Sequence, residues 1–151
     1  MWVVVVDVEH QESYWYPDDG GEVWVAGYYP VDADGRFMSR ADLEALGLVA
    51  SHVAGAVHRL EALASSGAEP GRPLRLRAEP DNPHDPHAVA VLTEAGEPVG
   101  YVPRELNTIL GESWSAVVLR ERRDSPRDPR TGLWMLACAE PLELRVRSSG
   151  R

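Results

Sequence analysis

Residues 74–104 read LRLRAEPDNPHDPHAVAVLTEAGEPVGYVPR, and this stretch decides the fold. The alternation Leu74, Arg75, Leu76, Arg77 has the period of a half-buried strand, with leucines on one face and arginines on the other. Ala88 to Leu92 reads as a second strand. Between them lies a polar corner, Glu79 to His87, in which Pro80, Pro83 and Pro86 each fix φ and push the preceding residue towards extended backbone. Such a corner loses little entropy on folding or on binding a ligand. It holds Asp81, Asn82, His84, Asp85 and His87 in nearly fixed directions at a sheet edge, as a preorganised recognition site requires. The competing reading is that Asp81, Asn82 and Asp85 cap turns through side-chain to backbone hydrogen bonds.

The corner Glu79-Pro80-Asp81-Asn82-Pro83-His84-Asp85-Pro86-His87-Ala88, followed by Gly100-Tyr101-Val102-Pro103-Arg104-Glu105-Leu106, resembles the HIRAN domain family. Ser51 to Arg59 is similar to that family's first strand, so the likeness covers roughly residues 49–147. The resemblance implies a small OB-like barrel that captures the 3′ end of single-stranded DNA, in a family often fused to helicases, nucleases or E3 ligases. It assigns Asp85 the role of accepting a hydrogen bond from the terminal 3′-hydroxyl. His84 stands where many members carry a Tyr that stacks on a base, and His58 matches another aromatic position. With imidazole in place of phenol at both, stacking is expected to be weaker and pH-dependent.

A chain of 151 residues suits one domain with an elaboration and can bury a sizeable core. The single cysteine, Cys138, excludes an intramolecular disulfide and a Cys-based zinc site, and reads as a buried small hydrophobe in a reducing cytoplasm. No run approaches the roughly 20 apolar residues of a membrane span, and Met1 to Val8 lacks the basic flank of a signal peptide. All 15 basic residues are Arg. The net charge of −9 argues against a general nucleic-acid coat until it is divided by position. Residues 1–48 hold ten acids and two Arg, whereas residues 49–151 hold fourteen acids and thirteen Arg. The acidity belongs to the leader, which leaves room for a local basic face from Arg59, Arg72, Arg75, Arg77, Arg104, Arg120, Arg122 and Arg123.

Within the leader, Trp2 to Val8 reads as a buried strand and Glu22 to Tyr29 as its partner, joined across a turn at Pro17 to Gly21. The aromatics Trp2, Tyr14, Trp15, Tyr16, Trp24, Tyr28 and Tyr29 suit either a base-stacking platform or cross-strand packing, and packing is the commoner use. Asp32 to Gly35 marks a turn, and Ser39 to Asp42 opens a short helix ending at Gly47. Val49 to Val57 reads as extended, Arg59 to Ser65 as helical, and Glu94 to Glu97 as a tight turn. Pro103 suits the first position of a helix from Arg104 to about Gly111. Trp114 to Arg123 and Gly132 to Val146 form a last pair of strands. The loop between them, Asp124 to Arg130, is polar and proline-rich, with Arg127 and Arg130 solvated or touching phosphate.

There is no G-x-x-x-x-G-K-[ST], no G-x-G-x-x-G after a strand, no H-E-x-x-H and no G-x-S-x-G, so the enzyme classes that use them lack support. The expected fold is mainly β with short helices: an OB-like small barrel over residues 49–147, an acidic β-hairpin extension over 1–48, and a disordered tail over 148–151. The expected function is a non-catalytic, cytoplasmic DNA-binding module for 3′-hydroxyl ends of single-stranded DNA, without metal or cofactor. It would serve a separate helicase or nuclease in repair, replication restart or phage defence. The candidate DNA-binding residues are His58, Arg59, Arg75, Arg77, Asn82, His84, Asp85, Tyr101 and Arg104. The alternatives are a metal-dependent nuclease or hydrolase using His52, His58, His84, Asp85 and His87, and a protein-interaction adaptor.

Overall fold

The computed structural model describes residues 2–15 and 23–147, so the expected turn at Pro17 to Gly21, Tyr16 and the tail 148–151 lie outside the described residues. Among the described residues, nine strands and two short helices make up the fold. In order these are β1 (Val4–Trp15), β2 (Val23–Pro30), α1 (Arg40–Ala45), β3 (Leu48–His52), α2 (Leu60–Leu63), β4 (Pro73–Ala78), β5 (Val89–Thr93), β6 (Pro98–Tyr101), β7 (Ser115–Arg123), β8 (Gly132–Cys138) and β9 (Leu142–Val146). Three single 3₁₀ turns punctuate them, at Ala56–His58, Ser66–Ala68 and Arg104–Leu106.

The alternating run that sets the frame is β4, with Leu74 and Leu76 buried and Arg75 and Arg77 exposed. It pairs antiparallel with β5, Arg77 opposite Ala90, and β5 pairs with β6, Ala90 opposite Tyr101. β7 is the strand that joins everything. One edge is shared, its first half carrying β4 (Leu74 opposite Ala116) and its second half β2 (Gly27 opposite Arg120). The other edge carries β8, which in turn pairs with β3. Beyond β3, Ala54 and Tyr101 exchange both backbone hydrogen bonds at 2.8 Å. That exchange closes β3, β8, β7, β4, β5 and β6 into a barrel, the geometry an OB-like fold uses to remove sheet edges. Closure depends on Gly100, at φ +151°, where a Cβ would lie 2.5 Å from the Ala54 carbonyl oxygen.

Leu74, Leu76, Val91, Val99, Val118, Leu133 and Met135 fill the barrel. The alternate positions of β7 and β8, Val117, Leu119, Leu136 and Cys138, face a second core with Val6 and Val8 of β1, Leu43 of α1 and Leu48. Burial on both faces is why these two strands read as continuous apolar runs. β1 and β2 form an antiparallel pair, and β9 adds to β1 in parallel, Val4 opposite Leu142 through Val8 opposite Val146. α1 carries a full capping box: Ser39 Oγ accepts from the Asp42 N–H at 3.1 Å, and the Asp42 carboxylate accepts from the Ser39 N–H at 2.9 Å.

Several expectations need correction. Trp2 is 84% exposed and Val3 and Val5 point outward, so β1 buries only the Val6 and Val8 face. The stretch Gly132 to Val146 is two strands, broken before Pro141; β9 leaves β8 and joins β1 instead. The helix expected from Arg104 to Gly111 is a single 3₁₀ turn. Arg130 is neither solvated nor available to phosphate. It is 6% exposed, donating to the Leu63 and Ser65 carbonyls at 2.8 and 3.0 Å and to Glu121 at 3.1 Å. The Leu63 carbonyl, left without a helical partner at the end of α2, and the Ser65 carbonyl, which also accepts from the Ala68 N–H at 3.2 Å, supply its acceptors. The favoured reading of the leader aromatics, packing across strands, holds for Trp24, buried opposite Tyr14, and for Tyr28, which His10 meets edge-on at 5.7 Å, while Tyr29 meets Phe37 of the following turn at 5.9 Å.

Candidate nucleic-acid interface

The corner between β4 and β5 is built on Asn82. Its amide N–H donates to the Glu79 carbonyl and its Nδ2 to Glu79 Oε1, both at 3.0 Å. Its Oδ1 accepts from the N–H of His84 at 2.9 Å and of Asp85 at 3.2 Å. Asp85 continues the pattern: Oδ1 accepts from the His87 N–H at 2.8 Å, and its carbonyl accepts from the Ala88 N–H at 3.1 Å. Pro80, Pro83 and Pro86 bring no N–H, so few backbone donors remain for the side chains to satisfy.

Two contacts from the following elements tie the corner to the barrel. Tyr101, on β6, donates its hydroxyl to Glu79 Oε1 at 2.8 Å, and Asn107 donates its Nδ2 to Asp85 Oδ2 at 2.8 Å. Arg104 Nε also lies 3.6 Å from Asp85 Oδ2, and Arg77 Nη2 lies 3.4 Å from Glu79 Oε2. The electrostatics follow from these donors. The Asp85 carboxyl is held below the usual range, first by the His87 N–H and then by Asn107, with Arg104 adding to both against desolvation. Glu79 is lowered chiefly by Asn82 and Tyr101, while the Tyr101 hydroxyl is raised because it already donates to Glu79. Both carboxylates are therefore anions across the neutral range, fixed by donors that leave acceptor capacity on Asp85, whose side chain is 17% exposed.

These groups border a pocket of ≈ 410 Å³. Of the residues expected from the sequence, Arg59, Asn82, His84, Asp85, Tyr101 and Arg104 line it together. Arg77 lies just outside, on the same outward face as Tyr101 across Ala90, close enough to act on the Tyr101 hydroxyl. His58 faces the neighbouring hollow, which shares Arg59 with the pocket, and Arg75 lines a separate hollow beside Glu112 and Trp114. Asn107 completes the pocket and was not legible beforehand: it is a 9% exposed polar residue whose partner sits 22 positions earlier. Nothing in the sequence sets Asn107 apart from its polar neighbours Arg104, Glu105 and Thr108; only its burial against Asp85 does.

The wider basic face contracts in the structure. Arg120 lies over the Tyr29 ring, and Arg123 pairs with Glu121 and lies beside Trp24. Among the described residues, no three His, Cys, Asp or Glu side chains converge as metal ligands would, so His52, His58, His84, Asp85 and His87 do not form one centre. Among them too, no helix is long and apolar enough to cross a membrane.

No curated protein matches the chain. Among solved structures, the crystal structure of the HIRAN domain of human HLTF aligns with a TM-score of 0.42 at 21% identity, over 60% of this chain and 74% of that one. The family model described as HIRAN domain matches residues 46–131, which include β3, the corner, the Gly100-to-Leu106 segment and all of β7. That match spans more than half of the chain, and the protein belongs to the HIRAN family of DNA-binding, generally non-catalytic modules.

Proposed function

We propose that the pocket receives the 3′-hydroxyl end of single-stranded DNA, with residues 49–147 as the binding domain and residues 1–48 as its structural extension. The observation that carries this reading is the Asp85 carboxylate, ionised and fixed by His87, Asn107 and Arg104 at the wall of a pocket flanked by three arginines. A fixed carboxylate accepts from a terminal hydroxyl but repels a terminal phosphate, so one group tests for the free end. Arg59 and Arg104 meet the backbone phosphates, and the His84 and Tyr101 rings offer faces to the last bases, each stack contributing about 1–3 kcal/mol. Arg77 adds positive charge at the rim. Two stacks and a few phosphates give moderate, salt-sensitive affinity, suited to an accessory role beside a separate helicase or nuclease in repair, restart or phage defence.

The experiment compares oligonucleotides ending in 3′-hydroxyl, ending in 3′-phosphate, and circular, with and without Mg²⁺. About a tenfold or greater preference for the 3′-hydroxyl, abolished in Asp85→Ala, is expected for a charge-assisted hydrogen bond. Equal binding of all three substrates overturns the end-recognition reading. Degradation of the DNA with Mg²⁺ replaces it with the nuclease.

A further inference from the structure

A second pocket lies on another side of the molecule, where the leader meets the barrel. It measures ≈ 290 Å³, at the small end of ligand pockets (roughly 300–1,000 Å³), and so suits one nucleotide rather than a longer segment. Three of the leader's elements reach it: β2 with Tyr29, the turn after it with Phe37, and α1 with Arg40. The barrel supplies His52, Arg120 and Trp134. Although the leader is the acidic part of the chain, no Asp or Glu among the described residues lines this pocket.

Neither of its arginines is neutralised by a carboxylate as Arg123 and Arg130 are. Among the described residues Arg120 forms no ion pair. Its Nη1 donates to the Tyr28 carbonyl at 3.1 Å and its guanidinium lies 4.3 Å from the centre of the Tyr29 ring. Burial lowers its proton affinity, so a nearby anion would restore what desolvation costs it. Among the described residues, Arg40 reaches only the Ala50 carbonyl, at 3.4 Å. Phe37 is 56% exposed at the mouth, an apolar ring left in water beside two cations. Cations without carboxylates beside an exposed aromatic ring recognise an anion that carries a flat ring.

We propose that this junction pocket is a second nucleotide site, with the Arg40 and Arg120 guanidinium groups on the phosphate and the Tyr29, Phe37 and Trp134 rings around the base. Two sources share that chemistry: a free nucleotide, and an interior nucleotide of a strand whose end lies elsewhere on the protein. His52 and Trp134 also border a neighbouring hollow that contains Arg122, whose buried Nε has no hydrogen-bond partner among the described residues, so a further cation stands beside the same two residues.

Deoxyadenosine 3′,5′-bisphosphate tests the site independently of end recognition, because it has no free 3′-hydroxyl. It is titrated against the full chain, alongside (dT)4 and (dT)12, while the Trp134 indole resonance is followed. Arg40→Gln removes an exposed cation with little structural consequence; Arg120→Gln is the stronger but more disruptive variant. Arg40→Gln is expected to weaken binding by about tenfold or more, as loss of a charge-assisted contact does. Weakening confined to the bisphosphate identifies a free nucleotide, and weakening of (dT)12 but not (dT)4 identifies a continuing strand. Asp85→Ala leaves the bisphosphate affinity unchanged. If folded Arg40→Gln binds both the bisphosphate and (dT)12 as the wild type does, the second site is refuted, whatever becomes of the 3′-end preference.

Discussion

Replacing Gly100 with alanine attacks the barrel at the one place where its ring of strands is joined by a single residue pair. A Cβ at this position would lie 2.5 Å from the Ala54 carbonyl oxygen and 2.6 Å from Val53 Cγ1, neither of which is the free end of a flexible chain. The left-handed φ of +151° costs an L-residue about 1–2 kcal/mol. Relief of the clash requires Ala54 to move away from Tyr101. That forfeits two backbone hydrogen bonds of 2.8 Å, each with a net contribution of about 0.5–1.5 kcal/mol. Together these give a loss of roughly 2–5 kcal/mol, a large part of the 5–15 kcal/mol typical of a domain. In urea, with a slope of about 2 kcal/mol per molar, the midpoint falls by about 1–2.5 M. Ala54 and Tyr101 both line the first pocket, so DNA binding should weaken even in the folded fraction. Gly96→Ala is the control. Its φ is +94° but nothing lies within 4 Å of the new Cβ, so it costs only the backbone strain and leaves binding intact. Equal midpoints for the two variants would refute the claim that closure at Ala54 and Tyr101 holds the barrel and its pocket together.

Tyr101→Phe removes the hydroxyl that Glu79 accepts, and it should cost about 0.5–1.5 kcal/mol at neutral pH. The sign of its pH dependence follows from the two shifts: lowered Glu79 contributes stability above its ordinary 4.5 that is lost as pH falls through its folded value, and raised Tyr101 contributes stability below its ordinary 10.0 that is lost as pH rises through its own. Urea midpoints of wild type and variant should therefore differ most between about pH 5 and 9 and converge at both extremes. Arg130→Met strands the Leu63 carbonyl, leaves the Ser65 carbonyl only its Ala68 N–H, and strips Glu121 of one of its two cations, so a loss of about 3–5 kcal/mol is expected by denaturation, with DNA affinity of the folded protein unchanged. His84→Tyr keeps an aromatic face at the pocket wall and should still bind single-stranded DNA, whereas His84→Ala should lose the roughly 1–3 kcal/mol of one stack in a fluorescence titration.

What could be read in advance was whatever the chain settles within a few residues. Leu74 to Arg77 announces its own faces, Ser39 and Asp42 lie one capping box apart, and the three prolines of the corner restrict their own neighbours. What escaped depends on a partner far along the chain. Arg130 looks like any loop cation until Leu63, Ser65 and Glu121 are brought to it, and β9 could not be separated from β8 before β1 was known to lie beside it. Asp85 shows why the two readings of the corner did not exclude each other. One carboxylate oxygen caps the turn at His87, and the other faces the pocket beside Asn107 and Arg104. The cap is what fixes the direction of the oxygen left for a ligand.

The same reasoning bears on the leader's acids, expected either to compete with DNA phosphate or to face water. Several are occupied locally. Asp7 binds Arg145, Asp42 caps α1, and Asp32 Oδ1 accepts from the N–H groups of Asp34 and Arg36. Asp32→Asn would therefore disturb a turn as well as remove a charge, and Asp18 and Asp19 lie outside the described residues. No leader residue among those described lines the first pocket, and charges beyond roughly 8–10 Å are screened at physiological salt. The pocket that the leader does line contains its Arg40 and none of its acids. An extension that served only to repel weakly bound DNA would place carboxylates there; this one places a cation and two aromatic rings.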